Sequence, residues 1–135
     1  MADVDQVEAF SLAFKTLVLK IAGKAPQDDS TIWRTKKRIF TALDIDPVSS
    51  MKSVGKYLYK YFKQIYDCNA SFFIYNTFSE ELNSSSNVEL AMHLINAIKI
   101  VWRDMSSEEQ ETFWQKIHTM LDCYIEYEAS LKGIK

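Results

Sequence analysis

Two capping signatures constrain this chain more than any other feature: Ser86-Asn87-Val88-Glu89 and Ser106-Ser107-Glu108-Glu109, each followed by strong helical periodicity. In a Ser-x-x-Glu box the serine hydroxyl accepts from the backbone N–H three residues on. The glutamate reaches back to the serine N–H, so two orphan donors of a helix start are satisfied together. After the first box, Ala91, Leu94, Ile95, Ile98, Val101, Trp102 and Met105 recur at three and four; after the second, Phe113, Trp114, Ile117, Met120, Leu121, Tyr124 and Ile125 do the same to about Leu131. The link between these runs is short, and the spacing predicts a long antiparallel helical hairpin.

Upstream the same period continues. Val7, Phe10, Phe14, Leu17, Val18 and Ile21 line one face of a helix over 3–22, with Asp3 or Asp5 able to cap it and Gly23 to end it. Pro26, Asp28 and Asp29 read as a loop before a second helix reaching Leu43, whose inner face is Ile32, Ile39, Phe40 and Leu43. Asp46-Pro47 is a cap followed by proline at the first helical position. The third helix then carries Met51, Val54, Leu58, Phe62 and Ile65 inward and fades near 67–69. Gly55 sits inside it, at a cost of about 1 kcal/mol against alanine, and so marks a close helix crossing. Residues 70–82 are ambiguous, because Phe72, Phe73, Ile74 and Tyr75 suit a strand. No second strand candidate exists to pair with them, and Ile74, Tyr75, Phe78 and Leu82 keep helical spacing, so helix is the reading. Three Gly and two Pro in 135 residues leave little turn material for a β fold. The expectation is all-α: one domain over 1–135, a compact bundle of about six helices ending in the hairpin.

No reaction is written in these residues. Cys68 and Cys123 lie too far apart for a zinc ribbon or a CxxC redox pair, and Cys123 on the flank of a helical stripe reads as structural. Glu89 and His93 are four apart on one helix, and His118 and Asp122 on the next. Their helical phases turn them away from a shared centre, so no metal site is expected. The pairs Glu80-Glu81 and Glu108-Glu109 fall at helix ends, where the latter complements the helix dipole. The chain therefore reads as a non-enzyme without a cofactor.

Binding is the better reading. Three Trp, seven Tyr and eight Phe exceed what one small core hides. Tyr57, Tyr59 and Tyr61 cannot all face inward on one helix, nor can Phe72, Phe73 and Tyr75, and exposed aromatic clusters are where protein interfaces concentrate their energy. Tyr57, Tyr59, Tyr61, Phe72 and Phe73 are accordingly the candidate contacts for a protein partner or for self-association. The alternative is a nucleic-acid-binding accessory protein using Arg34, Lys36, Lys37, Arg38, Lys52, Lys56, Lys60 and Lys63, with tyrosines interleaved for stacking on bases. Against it stand a net charge of −2 and the lack of any recognition motif. The charge is uneven: residues 1–66 hold 11 Lys/Arg against 7 Asp/Glu, and residues 67–135 hold 5 against 11. Opposite halves of this kind can guide association. No apolar run approaches the roughly 20 residues that cross a bilayer. The start, Met-Ala-Asp-Val-Asp, has no basic, apolar leader pattern, and the expected location is cytoplasmic.

The segment Leu94–Tyr124, with Ile100-Val101-Trp102, the turn Ser106-Ser107-Glu108-Glu109, then Phe113-Trp114-Gln115-Lys116-Ile117 and Met120-Leu121, resembles the C-terminal helical hairpin of many small helical proteins of large nucleocytoplasmic DNA viruses. The resemblance covers under a third of the chain. It implies a virion component or accessory protein acting by contact, in host cytoplasm or virion, and brings no catalytic residues with it.

Overall fold

The computed structural model describes residues 2–24, 30–75 and 89–133. Among them the chain forms seven α-helices and one short 3-10 turn, with no strand. They are α1 (Ala2–Lys24), α2 (Ser30–Ile45), α3 (Pro47–Lys60), α4 (Phe62–Tyr66), α5 (Ala70–Tyr75), α6 (Glu89–Val101) and α7 (Ser107–Leu131), the turn Trp102–Asp104 joining the last two. The all-α bundle is thus as the periodicity requires, with one helix more than expected. The loop at Pro26–Asp29, the Ser86 cap, and Phe78 and Leu82 of the 70–82 segment lie outside the described residues.

α1 is the spine. Its six stripe residues, Val7, Phe10, Phe14, Leu17, Val18 and Ile21, are all buried, and Phe10 meets Phe14 edge-to-face with centroids 6.0 Å apart. Asp3 and Asp5 lie within its first turns rather than capping it. The helix packs most extensively against α7, and also against α2, α3 and α6. The long last helix takes α1 as its main neighbour, while α6 packs on α1, α2, α3 and α5, so the packing described does not confirm the expected hairpin of the last two helices. Met105, extended at φ −86° and ψ 135°, redirects the chain between them.

The turn into α7 forms as its sequence dictates. Ser106 Oγ accepts from Glu109 N at 3.1 Å, and Glu109 Oε1 accepts from Ser106 N at 2.9 Å, closing the box. The same Oε1 meets Lys24 Nζ at 2.8 Å, which fastens the end of α1 to the start of α7. The Lys24 hydrogen bond, with help from the Ser106 backbone N–H, holds the Glu109 carboxyl down to about 2 against an ordinary 4.5. A carboxyl whose folded-state value is depressed stabilises fully above its unfolded value and loses that contribution as pH falls through the folded one. Glu109→Gln keeps the box geometry and removes the charge. The stability gap between native chain and Glu109→Gln in urea unfolding is therefore expected to be constant above pH 4.5 and to shrink between 4.5 and 2. A gap that persists at the acid end would show that the charge contributes nothing.

Asp46 caps α3 by accepting from Ser49 N at 3.0 Å, with Pro47 in the first turn. The buried Ser50 hydroxyl donates to Ala42 O at 3.0 Å, so α2 and α3 share a satisfied polar contact. Expected as one helix to residue 67, the third element instead breaks at Tyr61, whose backbone sits at φ −110° and ψ 27°. Beyond the break Ile65 stays buried while Phe62, expected inward, stands exposed. α4 ends in a Schellman turn: Asn69 N donates to Gln64 O at 2.9 Å and Cys68 N to Ile65 O at 3.0 Å. Cys68 fills the left-handed position at φ +53° that glycine usually takes. Asn69 Oδ1 then accepts from Phe72 N at 3.1 Å and starts α5.

Candidate interaction surface

The five aromatics singled out by sequence separate into two sets. Tyr57, Tyr61, Phe72 and Phe73 are half-buried and gather around buried Met92 and half-buried Ile95 of α6. Tyr61 packs on Phe72 at 5.3 Å and edge-on to Phe73 at 6.2 Å, and Phe73 reaches Trp114 of α7 at 6.2 Å. Trp114 continues to Trp102 at 6.1 Å and Phe113 at 5.1 Å. Tyr57, Tyr61, Phe72 and Phe73 thus form a second, smaller cluster on α6, which Phe73 joins to the main core that holds Trp102, Phe113 and Trp114. The break at Tyr61 makes this possible, since it lets a short α4 and α5 fold back where a continuous helix would run on.

Tyr59 alone of the five turns out, 54 % exposed, and it has company that the sequence did not single out. It stacks on Phe62 with centroids 5.7 Å apart and planes at 28°, and Phe62 meets Tyr66 edge-on at 6.3 Å. Phe62 and Tyr66 are 45 % and 46 % exposed, so three neighbouring rings each present about half their surface to water. The signal is readable: Tyr59, Phe62 and Tyr66 follow the three-and-four spacing of one face, whereas an unbroken third helix would turn Phe62 inward.

The far end of this strip is anchored on α7. Tyr66 OH donates to Asp122 Oδ1 at 2.7 Å, and this hydrogen bond, with partial burial and the carboxylate charge, raises the phenol to about 12. His118 stands beside Tyr66, ring centroids 5.4 Å apart, and its Nε2 donates to Ile65 O at 2.8 Å, satisfying a carbonyl at the end of α4. Cys68 Sγ lies 4.0 Å from the same Nε2. With that N–H committed to the carbonyl, the imidazole nitrogen facing the thiol is no base for it, and the geometry does not assemble a nucleophile and general base. Burial, then the charges of Glu126 and Asp122, push the Cys123 thiol up, which keeps it protonated. Of the four residues considered for metal, His118 and Asp122 are engaged as described, and the side chains of Glu89 and His93 lie outside the described residues. Among the described residues no three His, Cys, Asp or Glu side chains converge as a metal site would require.

The basic residues fall on two helices with different neighbours. On α2, Arg34, Lys37 and Arg38 are exposed, while Lys36 lies half-buried with Nζ 5.0 Å from the Trp33 ring and 5.8 Å from Phe40. On α3 and α4, Lys52, Lys56, Lys60 and Lys63 are exposed, Lys52 reaching over Tyr127 of α7 at 5.8 Å and Lys60 over Tyr61 at 5.3 Å. An open groove of about 500 Å³ on α3 joins Lys52 and Lys56 with Ser49, Ser53 and Tyr57. No helix among the described residues is long and apolar enough to cross a membrane. Comparison with protein-family models, with curated proteins and with solved structures finds no match to this chain.

Proposed function

We propose that this chain is a non-enzymatic helical interaction module that holds a polypeptide segment, rich in carboxylates and carrying apolar side chains, on the strip Tyr59–Phe62–Tyr66. The observation that carries this reading is the exposure of three neighbouring rings at the end of α3 and on α4, with Lys60 and Lys63 interspersed among them in the sequence and Lys56 just before them. Rigid aromatic side chains give up little conformational freedom on binding, and they serve as anchors while the lysines select for acid. A virion-associated or other structural setting, as the resemblance of the C-terminal segment implies, suits such a module.

Nucleic acid is the second reading, favoured by the mixture of exposed rings and lysines. Against it stands the lack of any nucleic-acid recognition motif in the sequence. The deciding experiment is capture of the tagged full chain from its source, with and without nuclease, comparing native protein with Tyr59→Ala/Phe62→Ala. A discrete protein that survives nuclease and falls at least about tenfold in the double variant supports the reading, given an unchanged thermal transition. Capture that is indifferent to the double substitution, or that vanishes with nuclease, overturns it.

A further inference from the structure

The groove on α3 carries a chemistry that the aromatic strip does not use. It holds about 500 Å³, within the range of small-molecule sites, and stays open to solvent. Ser49, Lys52, Ser53 and Lys56 alternate along it, so two hydroxyls and two ammonium groups occupy about 10 Å of one helix face. Half-buried Val48 and Tyr57 line its first and last turns, and Asp46 lies at the Val48 end. Lys52 and Lys56 are exposed, and among the described residues neither is ion-paired. α3 contains no Asp or Glu to offset them, and like charges one turn apart repel. Lys52 Nζ lies 5.8 Å from the Tyr127 ring centroid, a contact that does not exhaust its N–H donors. Asp46 Oδ1 accepts from Ser49 N at 3.0 Å to cap the helix, and the carboxylate has lone pairs left for a second donor.

We infer that this groove is a binding site for a small phosphate monoester carried on a polyhydroxyl body. The phosphate lodges between Lys52 and Lys56 beside Ser53, and the ligand hydroxyls meet Ser49 and Asp46. Each feature selects part of that ligand. Two lysines a turn apart with no carboxylate between them call for an anion, which turns their mutual repulsion into two charge-assisted contacts. An aliphatic acid would set hydrocarbon against Ser49 and Asp46 and take water from them without return, whereas ligand hydroxyls replace that water. A bare phosphate ion would leave most of the groove to solvent. The site is open and few groups converge on it, so the dissociation constant is on the order of hundreds of micromolar.

Titration of the isotope-labelled full chain, followed by the NMR shifts of its backbone amides, tests this with ribose 5-phosphate, inorganic phosphate and ribose as probes. Ribose 5-phosphate should shift the amides of residues 49–57 and bind at least about fivefold more tightly than inorganic phosphate, with ribose silent up to about 10 mM. Lys52→Ala/Lys56→Ala should weaken binding at least about tenfold with an unchanged thermal transition. Arg34→Ala/Lys37→Ala, which removes two exposed cations of α2, should bind as the native chain does. So should Tyr59→Ala/Phe62→Ala, which separates this site from the aromatic strip. Asp46→Asn keeps a capping oxygen, and it should weaken ribose 5-phosphate about threefold without weakening inorganic phosphate. No shift over 49–57, inorganic phosphate binding as tightly as ribose 5-phosphate, or binding retained in the double lysine variant overturns the proposal. A thymidine oligonucleotide or vesicles containing phosphatidic acid that saturate the same amides at a phosphate concentration about tenfold lower overturn it too, assigning the lysines to a nucleic-acid backbone or a lipid headgroup.

Discussion

Phe14→Ala is expected to cost about 4 kcal/mol of folding stability and to lower the thermal midpoint by more than about 10 °C. Phe14 is fully buried and packs edge-on to Phe10, on the helix that α7, α2, α3 and α6 all contact. Truncating it opens a cavity bounded by several helices, which cannot all collapse into it at once. For a chain whose total stability is of the order of 5–15 kcal/mol, that is a large fraction. Leu12→Ala on the opposite face, where the side chain is 68 % exposed, should change stability by no more than about 0.5 kcal/mol. Urea unfolding of both variants checks the pair. Comparable losses at the two positions would mean that α1 is not oriented as described.

The α1 stripe shows how far periodicity carries. Every residue assigned inward from spacing alone is buried, because a 23-residue helix contributing to one core must keep one face apolar along its length. The capping box at Ser106 was equally legible, being a local hydrogen-bond pattern that needs no other part of the chain. What spacing does not encode is which helix meets which. A short link after α6 made the α6–α7 hairpin the simplest guess. The strong stripe on α7 has α1 as its main neighbour, more than eighty residues away in sequence, with the Lys24–Glu109 pair at one end and the Gln6–Glu126 hydrogen bond of 3.2 Å at the other.

The candidate surface was legible only in outline. Counting rings shows that some must be exposed; choosing among them needs the break at Tyr61, which has neither glycine nor proline to announce it. Once the chain turns there, Tyr57 and Tyr61 face Met92 and the α5 phenylalanines, and Phe62 comes out beside Tyr59. The lysine row was visible as a row. The rings over which Lys36, Lys52 and Lys60 lie were not, since two of these three pairings join residues other than immediate sequence neighbours and one crosses to α7.

Gly55→Ala should destabilise the fold by about 3 kcal/mol, although alanine is the better helix former by about 1 kcal/mol. Gly55 is buried where α3 crosses α7, and the side chain of Tyr124 lies directly over it. A Cβ added there would stand 2.9 Å from Tyr124 Cβ and overlap the root of the ring. Those atoms are fixed close to the α7 backbone, so a rotamer change does not relieve the clash and the two helices must separate. Separation would loosen Ile65, Met120 and Leu121, all of which are buried. Introduced into a Tyr124→Ala chain, the same substitution loses the ring overlap and keeps only the 2.9 Å approach to the remaining Cβ, which a small helix shift relieves, and its cost should fall to about 1 kcal/mol. The coupling between the two positions, measured by a double-mutant cycle in urea, is thus expected to be about 2 kcal/mol in favour of the glycine–tyrosine pair. Additive effects would place the cost of Gly55→Ala elsewhere than in the crossing. A net gain in stability would mean that the helices do not approach at this point.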